Sequence, residues 1–226
     1  ASSGFAEWKP VGDKIKTEWA EKVTPENVWQ EYPRPQMVRE NWQNLNGLWN
    51  YTVTPTAGGV DKKGEILVPF AIESSLSGVG HILEAHQKLI YEREFELKKG
   101  DNKHLLHFEA VDYVCEVWVN GQRVGTHIGG NTPFSFDITK AAVDGKNKLK
   151  VEVRDATGAY QTVGKQITNP HAIWYTRVSG IWQSVWLEAV PQSYIERIKI
   201  DTKINPGQII VKTFAKGTSD AKVKLT

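Results

Sequence analysis

Twenty-six acidic side chains and six histidines could supply acid–base or metal chemistry, but their spacing assembles neither. Glu92, Glu94 and Glu96 alternate with Tyr91, Arg93 and Phe95, which lines them up on one face of an extended strand. Three carboxylates in a row raise one another's pKa unless water screens them, so they read as a solvated face rather than a catalytic pair. His81 and His86 are five apart and miss the helical spacing of a two-histidine zinc site. His104 and His107, three apart, point to opposite sides of a strand. Hydrogen-bonded structural roles are expected for these and for His127. No G-x-S-x-G elbow, P-loop or G-x-G-x-x-G fingerprint occurs, and Gly78-Val79-Gly80 reads as a turn. The spacing therefore assigns no catalytic residue, no metal ligand and no cofactor. The one cluster above this background is aromatic. Trp174, Tyr175, Trp182 and Trp186 fall within thirteen residues. Aromatic faces stack on the C–H faces of sugar rings, so Trp174 and Tyr175 are read as either a carbohydrate platform or packing. In a continuous strand from Ile181, Trp182 and Trp186 would share one face and fill the core.

The elements that must carry these residues are strands. From Gly47 onward the apolar pattern has period two: Cys115, Val117 and Val119 alternate with Glu116 and Trp118, and Asn120-Gly121 follows as a hairpin turn. Strands are expected near 48–53, 65–68, 90–97, 103–110, 115–119, 123–128, 134–138, 147–154 and 181–189. Short strands between Gly/Asn/Asp turns, without helical periodicity, predict an all-β fold, a jelly-roll antiparallel β-sandwich over 47–190. Residues 1–46 carry Trp8, Trp19, Trp29, Tyr32 and Trp42 around Tyr32-Pro33-Arg34-Pro35. They predict an extended arm lying across the sandwich. Residues 155–180 read as a long loop with no clear strand, and loops of that length are usually functional. After Pro191 a second set of strands begins at Tyr194–Lys203, continues at Gln208–Ala215 and resumes at Lys222–Thr226. An immunoglobulin-like sandwich takes about 100 residues, so 191–226 is expected to be its incomplete start and the chain a piece of a longer protein.

The chain has 226 residues, a formal net charge of +2 and one cysteine, Cys115. So even a balance makes nucleic acid and anionic membrane poor partners, and one thiol forms no intrachain bridge. No apolar run approaches the length of a membrane span. The first residues, Ala-Ser-Ser-Gly-Phe, have neither the charged nor the apolar region of a signal peptide.

Several stretches resemble the N-terminal sugar-binding domain of glycoside hydrolase family 2. They are Tyr32-Pro33-Arg34-Pro35-Gln36, Trp42-x-Asn44-Leu45-Asn46-Gly47-x-Trp49, Val68-Pro69-Phe70 and Ile90-Tyr91-x-Arg93-x-Phe95. Phe108-x-Ala110-Val111-Asp112-Tyr113 and Val117-Trp118-Val119-Asn120-Gly121 continue the match. So do Gly125-Thr126-His127-x-Gly129-Gly130-x-Thr132-Pro133-Phe134 and Gly164-Lys165-Gln166 with Ile173-Trp174-Tyr175. Ser179-Gly180-Ile181-Trp182-Gln183-x-Val185-Trp186-Leu187-Glu188 closes it. The resemblance implies a jelly roll, then an immunoglobulin-like sandwich, then a TIM barrel carrying two catalytic glutamates. Members are retaining exo-β-glycosidases, and their acid/base follows an asparagine as Asn-Glu. No Asn-Glu dipeptide occurs here. The chain is thus expected to be non-catalytic, packing on an intramolecular barrel that takes a β-linked oligosaccharide or glycoside. Tyr160, Lys165, Gln166 and Trp174, on the long loop, are the candidate contacts to substrate or barrel. His127 and Thr132 are read as turn and strand hydrogen bonds. A homo-oligomer is compatible with the resemblance, and a periplasmic or secreted setting is implied by it. Two other readings stand beside it, a free-standing carbohydrate-binding module and a structural surface β-sandwich.

Overall fold

The computed structural model describes residues 7–158, 160–217, 222 and 224. After a short 3₁₀ turn at Glu18–Lys22 come β1 (Trp42–Asn44), β2 (Gly47–Pro55), β3 (Lys62–Val68), β4 (Gln87–Leu97) and β5 (Lys103–Phe108). Then follow β6 (Val111–Asp112), β7 (Val114–Val119), β8 (Gln122–Ile128), β9 (Phe134–Asp137) and β10 (Gly145–Arg154). β11 (Gln166–Ile167), β12 (Tyr175–Thr176) and β13 (Gly180–Ile181) are two-residue pieces before β14 (Val185–Val190), β15 (Tyr194–Lys203) and β16 (Gln208–Lys216).

A six-stranded antiparallel sheet in the order β3-β2-β4-β10-β7-β8 packs against a four-stranded one, β1-β14-β5-β9. The period-two reading of the sequence is what fills the space between them. Cys115, Val117 and Val119 are all buried, beside Tyr91, Val151, Leu106, Phe108 and Leu187. Burial pushes the Cys115 thiol up to about 12, which leaves it protonated and inert. Asn120 and Gly121 take φ of 51° and 79°, the left-handed pair that a two-residue hairpin turn requires. Glu92, Glu94 and Glu96 are exposed, as their alternation predicts. His127 Nε2 contacts Gly129 O at 3.1 Å and Thr132 Oγ1 at 3.3 Å, the turn hydrogen bonds expected of that segment.

Three readings of the sequence change. The stretch 181–189 is not one strand, because β13 and β14 are separated by a bend at Trp182-Gln183-Ser184. Trp182 and Trp186 therefore line different grooves, and only Val185 and Leu187 of β14 join the inter-sheet core. The 155–180 stretch holds a short parallel pairing, Gln166 with Tyr175 and Ile167 with Thr176. The arm is not uniformly extended either, since it contains the 3₁₀ turn and contributes β1 to the smaller sheet.

Two clusters of contacts tie the end of the arm to β14. Asn46 is the first: its Oδ1 accepts from Val185 N at 3.0 Å, and its Nδ2 donates to Ser184 Oγ at 3.1 Å. Nearby, Arg93 Nη1 donates to Leu45 O at 2.7 Å and Asn46 O at 2.9 Å. The second is Glu188, on the outer face of β14 and fully buried. Its Oε1 lies 2.7 Å from Arg34 Nη2 and accepts from the Tyr32 hydroxyl. Its Oε2 faces Arg39 Nε at 3.6 Å and His107 Nε2 at 3.3 Å. His107 in turn contacts Ser135 Oγ at 2.5 Å and stacks on Trp186 at 4.8 Å. The same two arginines reach the β15–β16 hairpin through Glu196 O and Ile195 O. Lys222 and Lys224 apart, the strand expected at Lys222–Thr226 lies outside the described residues.

Burial alone would raise Glu188, but His107 and Tyr32 and the charge of Arg34 outweigh it and hold the carboxyl at about 2. A depressed acid stabilises the fold above its unfolded pKa and loses that contribution as pH falls through its folded one. The window here runs from about 4.5 down to about 2 and is worth about 3 kcal/mol. Glu188→Gln is expected to lower stability by about 3 kcal/mol at pH 7, because two part-buried arginines lose their counter-charge. Thermal denaturation across pH checks both statements. The variant should also lose most of the wild-type's acid sensitivity below pH 4.5.

Candidate functional site

The 155–180 loop is clamped at both ends by buried carboxylates. Asp155, the first residue after β10, accepts from Ser179 Oγ at 2.7 Å, Gln161 Nε2 at 3.0 Å and Thr157 N at 2.9 Å. Glu73 accepts from Ser179 N at 3.0 Å and Leu83 N at 3.4 Å. One serine near the loop's end thus bridges two acids on different segments. Gly180 follows with φ 82°, and a Cβ there would run into the Tyr91 hydroxyl, which accepts from Ile181 N at 3.1 Å. Only glycine combines that backbone with so close an approach.

Two further contacts hold the middle of the loop. Gln166 Oε1 accepts from Val178 N at 2.5 Å, and its side chain lies against Asp112. Arg177, buried along its length, donates to Glu84 Oε1 at 2.9 Å. The segment 73–84 that supplies Glu73 and Glu84 is itself covered by the arm. Lys14 Nζ donates to Glu73 O at 2.6 Å, and the Trp8 indole packs over Gly78, where a Cβ would lie 2.7 Å from it.

The four residues singled out from sequence fall on both sides of this frame. Tyr160 is fully exposed, and Lys165 is exposed with its carbonyl accepting from Tyr175 N at 3.1 Å. Trp174 is 40% exposed, beside Ile173 and Tyr175, which are more so. The β11–β12 pairing brings Lys165 and Gln166 next to Trp174 and Tyr175 in the chain's path, while no contact of Tyr160 with them is seen among the described residues. Gln166 turns inward. Outside, the loop presents Tyr160, Ile173, Trp174 and Tyr175 among polar residues that include Lys165, Asn169 and His171; inside, it is fixed by amides and carboxylates.

Sequence reading missed Glu73, Asp112 and Asp155, all nearly inaccessible. Burial, with the neighbouring Asp155 charge, pushes Asp112 up to about 7. Burial also pushes Glu73 up to about 7, against the hydrogen bonds it accepts from Ser179 and Leu83. The described residues contain no group of three or more His, Cys, Asp or Glu arranged to hold a metal ion, and no helix long and apolar enough to cross a membrane.

Residues 79–191 match the family model described as glycosyl hydrolases family 2, sugar binding domain. The chain belongs to glycosyl hydrolase family 2. It is 35% identical over 114 residues to a β-galactosidase of Clostridium acetobutylicum, covering 50% of this chain and 12% of that protein. With the β-galactosidase of Lactococcus lactis it is 27% identical over 240 residues, covering 91% of this chain and 23% of that protein. The crystal structure of Ruminococcus gnavus β-glucuronidase superimposes with a TM-score of 0.63 at 19% identity, over 83% of this chain and 35% of that one. That last likeness shows the fold. The chain spans under a quarter of the two curated relatives and about a third of that solved structure.

The raised acids set a direction with pH. A carboxyl whose folded pKa exceeds its unfolded one stabilises the fold fully below the unfolded value, and that contribution drains away as pH rises to the folded value. For Glu73 and Asp112 the drain ends at about 7. Asp112→Asn is expected to melt several degrees above wild type at pH 8 and by a clearly smaller margin at pH 5, inside the window from 3.8 to about 7. Paired thermal melts at those two pH values test this.

Proposed function

We propose that this chain is the non-catalytic sandwich portion of a retaining exo-β-glycosidase, packed on a TIM barrel and walling the mouth of its active site. The carrying observation is the 155–180 loop: rigidly clamped underneath by Asp155, Glu73, Gln166 and Arg177, yet offering Tyr160, Lys165 and Trp174 outward. Such a pattern suits a surface that meets a partner rather than a flexible connection. In this reading Trp174 and Tyr160 meet substrate or barrel, Lys165 hydrogen-bonds sugar hydroxyls or barrel carboxylates, and Gln166 positions them from behind. Relatives named as β-galactosidases and as a putative β-glucuronidase support a β-galactoside or β-glucuronide as substrate class. The chemistry itself needs two carboxyls about 5–5.5 Å apart, and the Asn-Glu dipeptide that marks one of them in this family is absent from the 226 residues. A short immunoglobulin-like start at 191–226, a homo-oligomeric assembly and a periplasmic or secreted setting belong to the same proposal.

The test compares the 226-residue chain with a longer polypeptide carrying it ahead of a barrel, using p-nitrophenyl β-D-galactoside. The chain alone is expected to show no turnover and the longer protein to hydrolyse the substrate. Trp174→Ala in the longer protein should lower kcat/KM by about tenfold to a hundredfold, 1–3 kcal/mol, without moving its melting temperature. Turnover by the purified chain alone would overturn the proposal.

A further inference from the structure

A second groove, sharing no lining residue with the 155–180 loop, opens where the arm crosses the sandwich. Its volume is about 570 Å³, within the range of small-molecule sites. Trp29, Tyr32, Pro33, Pro69 and Trp182 make its walls, and Glu31, Glu109, Gln183 and Ser184 supply its polar groups. Both indoles are held in place. Trp182 Nε1 donates to Gly130 O at 2.8 Å, which fixes the ring plane. Trp29 is 60% exposed but sits at φ 43°, a left-handed backbone that a bulky residue seldom adopts. Its carbonyl is gripped there by Asn44 Nδ2 at 2.7 Å and Asn46 Nδ2 at 3.3 Å. Strain maintained around an exposed tryptophan is the kind of outlier that points toward a binding role.

The polar groups define what would fit. Among the described residues, the side chains of Glu31, Glu109 and Gln183 make no hydrogen bond or ion pair with other side chains. Burial pushes Glu109 up from its ordinary value, against a hydrogen bond from the Ser184 backbone, and no cation among the described residues lines the groove beside it. Among the described residues, no lysine, arginine or histidine lines the groove. Flat aromatic walls with a rim rich in acceptors match a ring that has apolar C–H faces and a periphery of hydroxyl donors. The absence of any lining cation disfavours a sugar carrying its own carboxylate.

We infer that the Trp29–Trp182 groove binds a neutral hexopyranoside and discriminates against uronosides. This rests on the reading of the chain as part of a glycoside-processing enzyme, and assigns that enzyme a sugar site of its own outside the 155–180 loop.

The probes are methyl β-D-galactopyranoside and methyl β-D-glucopyranosiduronic acid, titrated into the 226-residue chain while the tryptophan indole N–H signals are followed by NMR. The galactoside is expected to shift the Trp29 and Trp182 signals saturably and to bind at least about tenfold more tightly than the uronoside. Trp29→Ala should weaken galactoside binding by about tenfold or more with an unchanged melting temperature. Glu109→Gln, which keeps the shape and removes the charge, should narrow the preference over the uronoside. Three results would overturn the inference: no saturable galactoside binding, equal binding of the two probes, or binding insensitive to Trp29→Ala but lost in Trp174→Ala. None of these would touch the hydrolytic comparison, which fails or succeeds on turnover alone.

Discussion

The architecture depends on neutralising one carboxylate. Glu188 lies on the outer face of β14, where a four-stranded sheet would ordinarily meet water, and it is buried because the arm lies over it. Removing such a charge from solvent is tolerable only with partners of opposite sign close by. Tyr32 and Arg34 meet its Oε1 from the arm, and Arg39 from the arm and His107 from β5 lie at ion-pair distance from its Oε2. Burial pulls the His107 pKa down against the pull of Glu188, and its ring bridges Ser135 and the ion pair. The arginines then extend to the backbone of β15, so arm, sandwich and hairpin meet at a single charged residue.

The arm's path has consequences beyond this hub. Where it enters β1 and β2, Asn44, Leu45 and Asn46 grip Trp29, Arg93 and the start of β14. Further upstream, Trp8 and Lys14 lie on the 73–84 segment that clamps the long loop. Both outward-facing regions, the loop and the tryptophan groove, are therefore shaped from the same polypeptide end.

The strands were readable because the alternation that buries Cys115, Val117 and Val119 is local, and the Asn120-Gly121 turn needs only its own two residues. The hub was not, since Tyr32 and Glu188 are 156 positions apart and Glu188 alternates with Leu187 like any surface acid. Trp186 misled for the same reason: its pattern suggests core, but its burial comes from the arm on the opposite face of the sheet. The long loop announced itself through its length and glycines, and its exposed Tyr160 and Trp174 stood out as aromatic residues. Its anchors did not, because a lone Glu73 or Asp155 carries no signal until the fold brings both to Ser179. The Trp29–Trp182 groove draws on separate stretches of chain, and no spacing rule connects them.

The clamp at Ser179 also separates two kinds of change. Since the loop's entry at Asp155 and exit at Ser179-Gly180 are pinned to one another, and Gln166 and Arg177 hold its middle, its exposed positions such as Tyr160, Lys165 and Trp174 can trade side chains without disturbing the sheets below. Variation in what the protein meets is thereby uncoupled from variation in whether it folds. A change of preference would accordingly fall on those exposed positions, and a change of stability on Glu73, Asp155, Ser179 and Gly180.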